Sequence, residues 1–338
     1  MNRRNFIKHS SYSLAAIACG TSNSPKDLVI GHGSHQYKVD LHWGALNSHF
    51  YPVKDCHEMA IDSKGRIFLL TNHIRNNVLI YERDGKLIDT WGTTYPGAHG
   101  LTLVDEAGQE VLYIADNERH EVIKTTLEGR ELMVIPYPRE SGQYERADEY
   151  IPTETAIAPN GDIYVADGYG KQHILHYDAK GKIINVFGGR GPEDKHLDNA
   201  HGICIDHRDP KGPELLVTDR MKNQLKRFTM EGDFLGIIDL PGAYICRPVI
   251  KDSMIYLATI WSGEAKAEGF ISILNEDNQL VSAPGAIEPI YVDHQLQTMQ
   301  QSLRIFQHPH DVCVDKDDNL YVAQWDSGQT YPIKLIRV

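Results

Sequence analysis

The 338-residue sequence predicts an all-β chain folded as one six-bladed β-propeller, each blade an antiparallel sheet of four strands. Three observations carry this reading. The stretches AIDSKGRIFLLT (60–71), AIAPNGDIYVAD (156–167) and CVDKDDNLYVAQ (313–324) share apolar alternation, a polar turn and a second alternating run. That is the period-two pattern of a β-hairpin. A third strand follows in NVLIYERDG (77–85), HILHYDAKG (173–181) and QLKRFTMEG (224–232), and a fourth in KLIDTWG (86–92) and KIINVFGG (182–189). Finally, a histidine directly precedes the first strand in CHEMAID, AHGLTLVD, NAHGICIDH and HPHDVCVD, which gives His57, His99, His201 and His310 one register.

Filling the gaps puts His57, His99, Thr153, His201, Arg247 and His310 at equivalent positions of six units. Blade five, RPVIKDSMIYLATIW, is the most degenerate, and the segments before Thr153 and His310 read as longer loops on one face. The last unit ends after its third strand at PIKLIRV, so residues 28–32 (LVIGH) are expected to supply its fourth strand and close the ring. No linker or low-complexity tract divides residues 28–338, which read as one domain.

Composition narrows the function. A formal charge of −12 argues against nucleic acid or an anionic membrane surface as the main partner, while 41% apolar residues suffice for a core. Residues 1–24 resemble a twin-arginine export signal: Arg3 and Arg4, a short apolar stretch to Ala18, and Cys19 in a lipoprotein-like cleavage box. The expectation is a bacterial envelope or periplasmic protein, a monomer touching the membrane only through a lipid on Cys19. Cys56, Cys204, Cys246 and Cys313 form no CxxC pair and read as small core residues.

In a propeller the first strand of each blade lines the central channel, so residues in one register meet at one level. His99, His201 and His310 fall in blades two, four and six, a third of a turn apart. Three imidazoles so placed suit a catalytic zinc with an open fourth position. His57, from blade one, is expected to contact substrate or move a proton.

These motifs resemble NHL-type six-bladed propellers, and more narrowly the peptidyl-α-hydroxyglycine α-amidating lyase catalytic domain. GAHGLTLVD, DGYGKQHILHYD, NAHGICID, VTDRMKNQLKRF and HPHDVCVD follow that family's blades in order. The resemblance implies zinc on His99, His201 and His310, a catalytic Tyr169 and a substrate-facing Arg220. It also implies a structural calcium held by Asp311 and the carbonyls of Met59 and Leu101. Two positions depart from the family: Asn72 stands where it has arginine, with His73 and Arg75 nearby, and His308 stands where it has methionine. Both face substrate in the family, so Asn72, His73, Arg75, Arg247 and His308 are expected to line the substrate site, with the arginines gripping a carboxylate.

The resulting expectation is an exported metal-dependent lyase or dehydratase acting on a small hydroxylated, acidic molecule or oligosaccharide, with a uronic-acid sugar slightly ahead of a peptidyl hydroxyglycine. A non-catalytic propeller that binds a partner on one face is the alternative. A calcium-dependent lactone hydrolase is disfavoured by the histidines.

Overall fold

A computed structural model describes residues 28–263 and 268–338. The export-signal reading of residues 1–24, with Arg3, Arg4 and Cys19, lies outside the described residues. Six antiparallel sheets form the blades, and their first strands are Cys56–Ile61, Ala98–Glu106, Glu154–Ile157, Ala200–Asp206, Ala243–Lys251 and Pro309–Val314. In blades one to five the strands follow chain order outward from the first. Period-two alternation is muted in the second strands, because both of their faces are covered by neighbouring blades. Ile67–Thr71 and Ile163–Ala166 are buried throughout.

Six clusters of buried apolar side chains hold the ring together, one between each pair of adjacent blades. Blade six closes on the N-terminal segment, though not with the strand expected. His35–Asp40 pairs with Ile333–Arg337 in the fourth-strand position, with Tyr37 opposite Arg337 and Asp40 opposite Lys334. Val29–His32 folds back outside it as a fifth strand. The reason lies in the side chains: Tyr37 and Val39 alternate into the core between blades five and six, whereas the outer strand buries Ile30 and leaves Val29 exposed.

The two expected long loops are present. Residues 136–153 carry the short 3-10 turns Arg139–Ser141 and Ala147–Glu149, and residues 283–308 carry a two-stranded hairpin, Tyr291–Val292 with Gln295–Leu296. All four described cysteines are free. Among the described residues no helix is long and apolar enough to cross a membrane.

Candidate metal centre and its cleft

The first strands are not regular where they reach the upper channel. Pairing skips a residue at His57, at His99 and at His310, and skips two at His201–Gly202 and Cys246–Arg247. A bulge leaves the extra residue out of the ladder and re-aims its side chain. Here it aims His57, His99, His201, Cys246 and His310 into the channel. Thr153, the blade-three member, spends its hydroxyl on the carbonyls of Ala166 and Ala200.

The expected triad converges. Ring centroids of His99, His201 and His310 lie 4.8–4.9 Å apart pairwise, and His57 lies 4.7 Å from His99 and 4.9 Å from His310. The tightest groupings of ligand atoms are His57–His99–His310 and His201–Cys246–His310, so the ring is wider than the triad. Blade five differs from expectation: Cys246, not Arg247, occupies the histidine register, because the two-residue bulge begins one position earlier than the His-Gly and His-Asp pairs suggest.

Burial decides the protonation of this ring. It holds His57 down to about 3 and His99, His201 and His310 well below the usual imidazole range, with Arg220 and the neighbouring histidines pushing the same way. All four are therefore neutral at pH 7, the form that ligates metal. Nδ1–H of His99 donates to the Thr153 carbonyl at 2.8 Å, and that of His310 to the His57 carbonyl at 2.9 Å, which leaves each Nε2 lone pair facing inward. Nδ1 of His57 and of His201 is buried with no partner. Inward lone pairs and orphaned nitrogens fit a divalent metal of nitrogen preference such as zinc.

Tyr169 stands at this ring. Its hydroxyl is 3.1 Å from Nε2 of both His99 and His201, while 39% of its surface remains exposed to the cleft above. Burial of the hydroxyl raises its pKa, and Arg220 pulls the other way without outweighing it. The DGYG turn that presents Tyr169 is tightly fixed. Asp167 accepts from Ile151 N–H, Lys171 N–H and the Tyr144 hydroxyl, and Gln172 Nε2 donates to the Gly168 carbonyl. A Cβ on Gly168 would sit 2.3 Å from the Ala200 carbonyl oxygen.

Arg220 is 4% exposed and donates to the Ile245 carbonyl and to Cys246 Sγ at 3.0 Å, with its guanidinium 6.0 Å from the Trp261 ring centre. Together with His57, His99, His310, Tyr169 and Asn72 it lines a cleft of about 580 Å³. Sequence reasoning missed Cys246 and the cleft-lining Trp261, Trp325 and Asn199; the last holds the Gly168 carbonyl. The other expected substrate residues are placed differently. Asn72 reaches the cleft but is paired with Asp55. His73 accepts from the Arg75 backbone, and Arg75 donates to the His49 carbonyl, both outside the cleft lining. His308 is 7% exposed, packed by Trp325 and bonded to the Asp326 carbonyl.

Arg247 is not in the cleft either. It lies one layer below the histidines, where its guanidinium donates to Asp311, to the Leu101 carbonyl and to the Met59 carbonyl. Glu58 and Glu154 flank it at 3.6 and 3.7 Å. Burial pushes Asp311 up to about 6, against the pull of Arg247, and holds Glu58 well above the carboxylate range. Asp311 and the carbonyls of Met59 and Leu101 are the three donors that the resemblance assigns to calcium. The donor set does not fit that ion, because a guanidinium already uses all three.

No family model matches the chain. Over 108 residues it is 32% identical to a probable peptidyl-alpha-hydroxyglycine alpha-amidating lyase of Caenorhabditis elegans, covering 32% of this chain and 30% of that protein. A peptidyl-alpha-hydroxyglycine alpha-amidating lyase of Drosophila melanogaster is 26% identical over 71% of this chain and 45% of its own. The human NHL repeat-containing protein 3 is 22% identical over 59% of each. The chain thus spans from under a third to about three fifths of the curated relatives it matches. A streptogramin B lyase structure superposes with a TM-score of 0.54 at 15% identity, over 84% of this chain and 94% of that one, which shows the fold alone. The chain is a six-bladed β-propeller similar to NHL repeat-containing proteins and to the amidating lyases, with a histidine cluster able to hold a metal.

Proposed function

We propose that the chain is a metal-dependent lyase acting on a hydroxylated, anionic substrate held in the cleft above the histidine ring. The observation that supports this best is the Tyr169 hydroxyl, within 3.1 Å of two ring histidines and open to the cleft, with Arg220 lining the same space. A zinc held by His99, His201 and His310 would supply a Lewis acid that polarises the substrate oxygen. Tyr169 would accept the substrate hydroxyl proton as its phenolate, the form that a zinc charge beside its hydroxyl, together with Arg220, would favour against burial. The O–H electron pair would become a C=O bond as the C–N or C–O bond on the same carbon breaks, and the leaving group would depart with the proton Tyr169 had taken. Arg220 would orient the anionic group, and the apolar faces of Trp261 and Trp325 would limit water.

The names of two relatives favour a peptidyl hydroxyglycine. The uronic-acid sugar gains no support from the relatives, and the carbinol step is that of the hydroxyglycine; what the two substrates share is a hydroxyl and a carboxylate. Export from the cytoplasm rests on residues 1–24 and belongs to the same proposal. The test is turnover by zinc-loaded protein across a panel of peptidyl hydroxyglycines and uronic-acid oligosaccharides. Tyr169→Phe should lower kcat by about 10²–10⁴-fold with zinc content unchanged, the range for a lost acid–base group. Wild-type turnover in that variant removes Tyr169 from the chemistry. No turnover of any panel member by the zinc-loaded protein favours a binding module.

A further inference from the structure

The layer below the histidines is built from the next residue of each blade: Glu58, Gly100, Glu154, Gly202, Arg247 and Asp311. Three of the six are buried carboxyl groups, and the guanidinium is the one cation among them. From blade five it donates at 2.8 and 3.2 Å to Asp311 of blade six, at 2.9 Å to Met59 O of blade one and at 2.9 Å to Leu101 O of blade two. Glu154 of blade three lies 3.7 Å from its Nε. Blade four contributes an absence of side chain: a Cβ on Gly202 would fall 2.5 Å from the Arg247 Cα. Every blade is thus shaped around one side chain on the axis.

We propose that Arg247 is a built-in replacement for a structural divalent cation, so that this propeller is locked at its axis by its own guanidinium and takes no calcium there. The chemistry matches on both sides. A planar fork of N–H donors suits a carboxylate and two converging carbonyls, the oxygen donors that a hard cation would otherwise gather. Calcium bonds oxygen at about 2.3–2.6 Å, so it would need the space the guanidinium nitrogens fill. The backbone is committed as well, since Met59 N–H donates to Asp311 at 2.8 Å and Leu101 N–H to Glu58 at 2.5 Å. Carbonyls and carboxyls are therefore fixed facing the axis. The cation is covalently part of blade five and does not exchange.

The inference does not depend on the lyase reading, since its readouts are melting temperature and calcium uptake. The full chain, zinc-loaded and freed of calcium, is titrated with calcium chloride alongside Arg247→Ala and the double variant Arg247→Ala/Asp311→Asn. The wild type should take up no calcium at the axis and melt at an unchanged temperature. Arg247→Ala leaves buried carboxylates uncompensated and should melt roughly 5 °C lower, then recover on calcium addition; the double variant should not recover. Calcium uptake by the wild type that Asp311→Asn abolishes overturns the proposal. So does an Arg247→Ala protein with wild-type melting and no calcium response. Should Arg247→Ala fail to fold, calcium added during refolding should restore it, and the wild-type titration decides by itself.

Discussion

Two neighbouring residues in each blade build two rings of opposite character. The upper ring, His57, His99, His201, Cys246 and His310, is neutral, holds nitrogens with no protein partner and opens to a cleft. The lower one, Glu58, Glu154, Arg247 and Asp311, is charged, and the Asp311 carboxylate and the two axial carbonyls all find the guanidinium. Both are buried, so burial does not separate them; what does is how far the valences are closed within the chain, since among the four lower side chains Glu154 Oε2 alone lacks a hydrogen-bond partner and it lies 3.7 Å from the guanidinium. A polar hub closed around a guanidinium in all but that one oxygen fastens the ring, as buried charge demands. An unsatisfied set of lone pairs is costly to keep and is retained where something else completes it. The difference teaches where to look for exchangeable metal: one residue above the arginine, not beside it.

The sharpest way to break the comparison is His310→Ala. This imidazole belongs to both ligand groupings, so its loss should lower zinc affinity by more than the roughly 100-fold that losing a supporting hydrogen bond costs. Equilibrium dialysis followed by metal analysis measures this. Zinc affinity within tenfold of wild type would mean that the upper ring does not act as a unit.

Acid provides the second test, because the two rings titrate with opposite signs. The four histidines have folded pKa values below the unfolded 6.5, down to about 3 for His57, so the unfolded chain binds more protons as pH falls through that window. Each contributes stability that is whole above 6.5 and declines by about 1.4 kcal/mol per pH unit below it. Asp311, raised from 3.8 to about 6, carries a cost at neutral pH that is relieved as pH falls from 6 toward 3.8, and Glu58 shifts the same way. Four groups outweigh two, so the metal-free chain should lose stability below pH 6.5. Removing one imidazole by His57→Gln should flatten that loss, and denaturant melts between pH 4 and pH 8 read the slope. A slope unaltered by the substitution would put the acid sensitivity elsewhere.

The smallest effect is expected at Cys246. Cys246→Ser keeps a small acceptor for Arg220 but alters a thiol contact of 3.0 Å, so zinc affinity should change by no more than about tenfold, the low end of what a supporting contact costs. KM should rise more than kcat falls, as for a residue that seats a substrate-binding arginine. A loss of zinc comparable to that of His310→Ala would make Cys246 a principal ligand.

The contrast between the rings also explains what the sequence could disclose. Blades were legible because each hairpin carries its own local turn, as in Asp62–Gly65 and Ala158–Gly161. The triad was legible because three histidines recur one residue after the same strand start. Cys246 was not, since blade five lacks a histidine to mark the register, and Arg247, the next residue of the same bulge, reads as that level in its place. The partners of Arg247 were equally hidden: Leu101 and Met59 lie 146 and 188 residues away, and only ring closure brings them to the axis. At the N-terminus, residues 28–32 read as the closing strand, and the structure gives that slot to His35–Asp40, beyond the turn at Gly33. Burial of Tyr37 and Val39 decides it.

Anomalous diffraction at the zinc absorption edge, from crystals equilibrated with zinc and calcium together, tests the central claim most directly. A single peak among the imidazoles of His99, His201 and His310, with ordered Arg247 guanidinium density and no ion at Asp311, is the predicted result. No peak at the histidines, or an ion seated between Asp311 and the carbonyls of Met59 and Leu101, would contradict it.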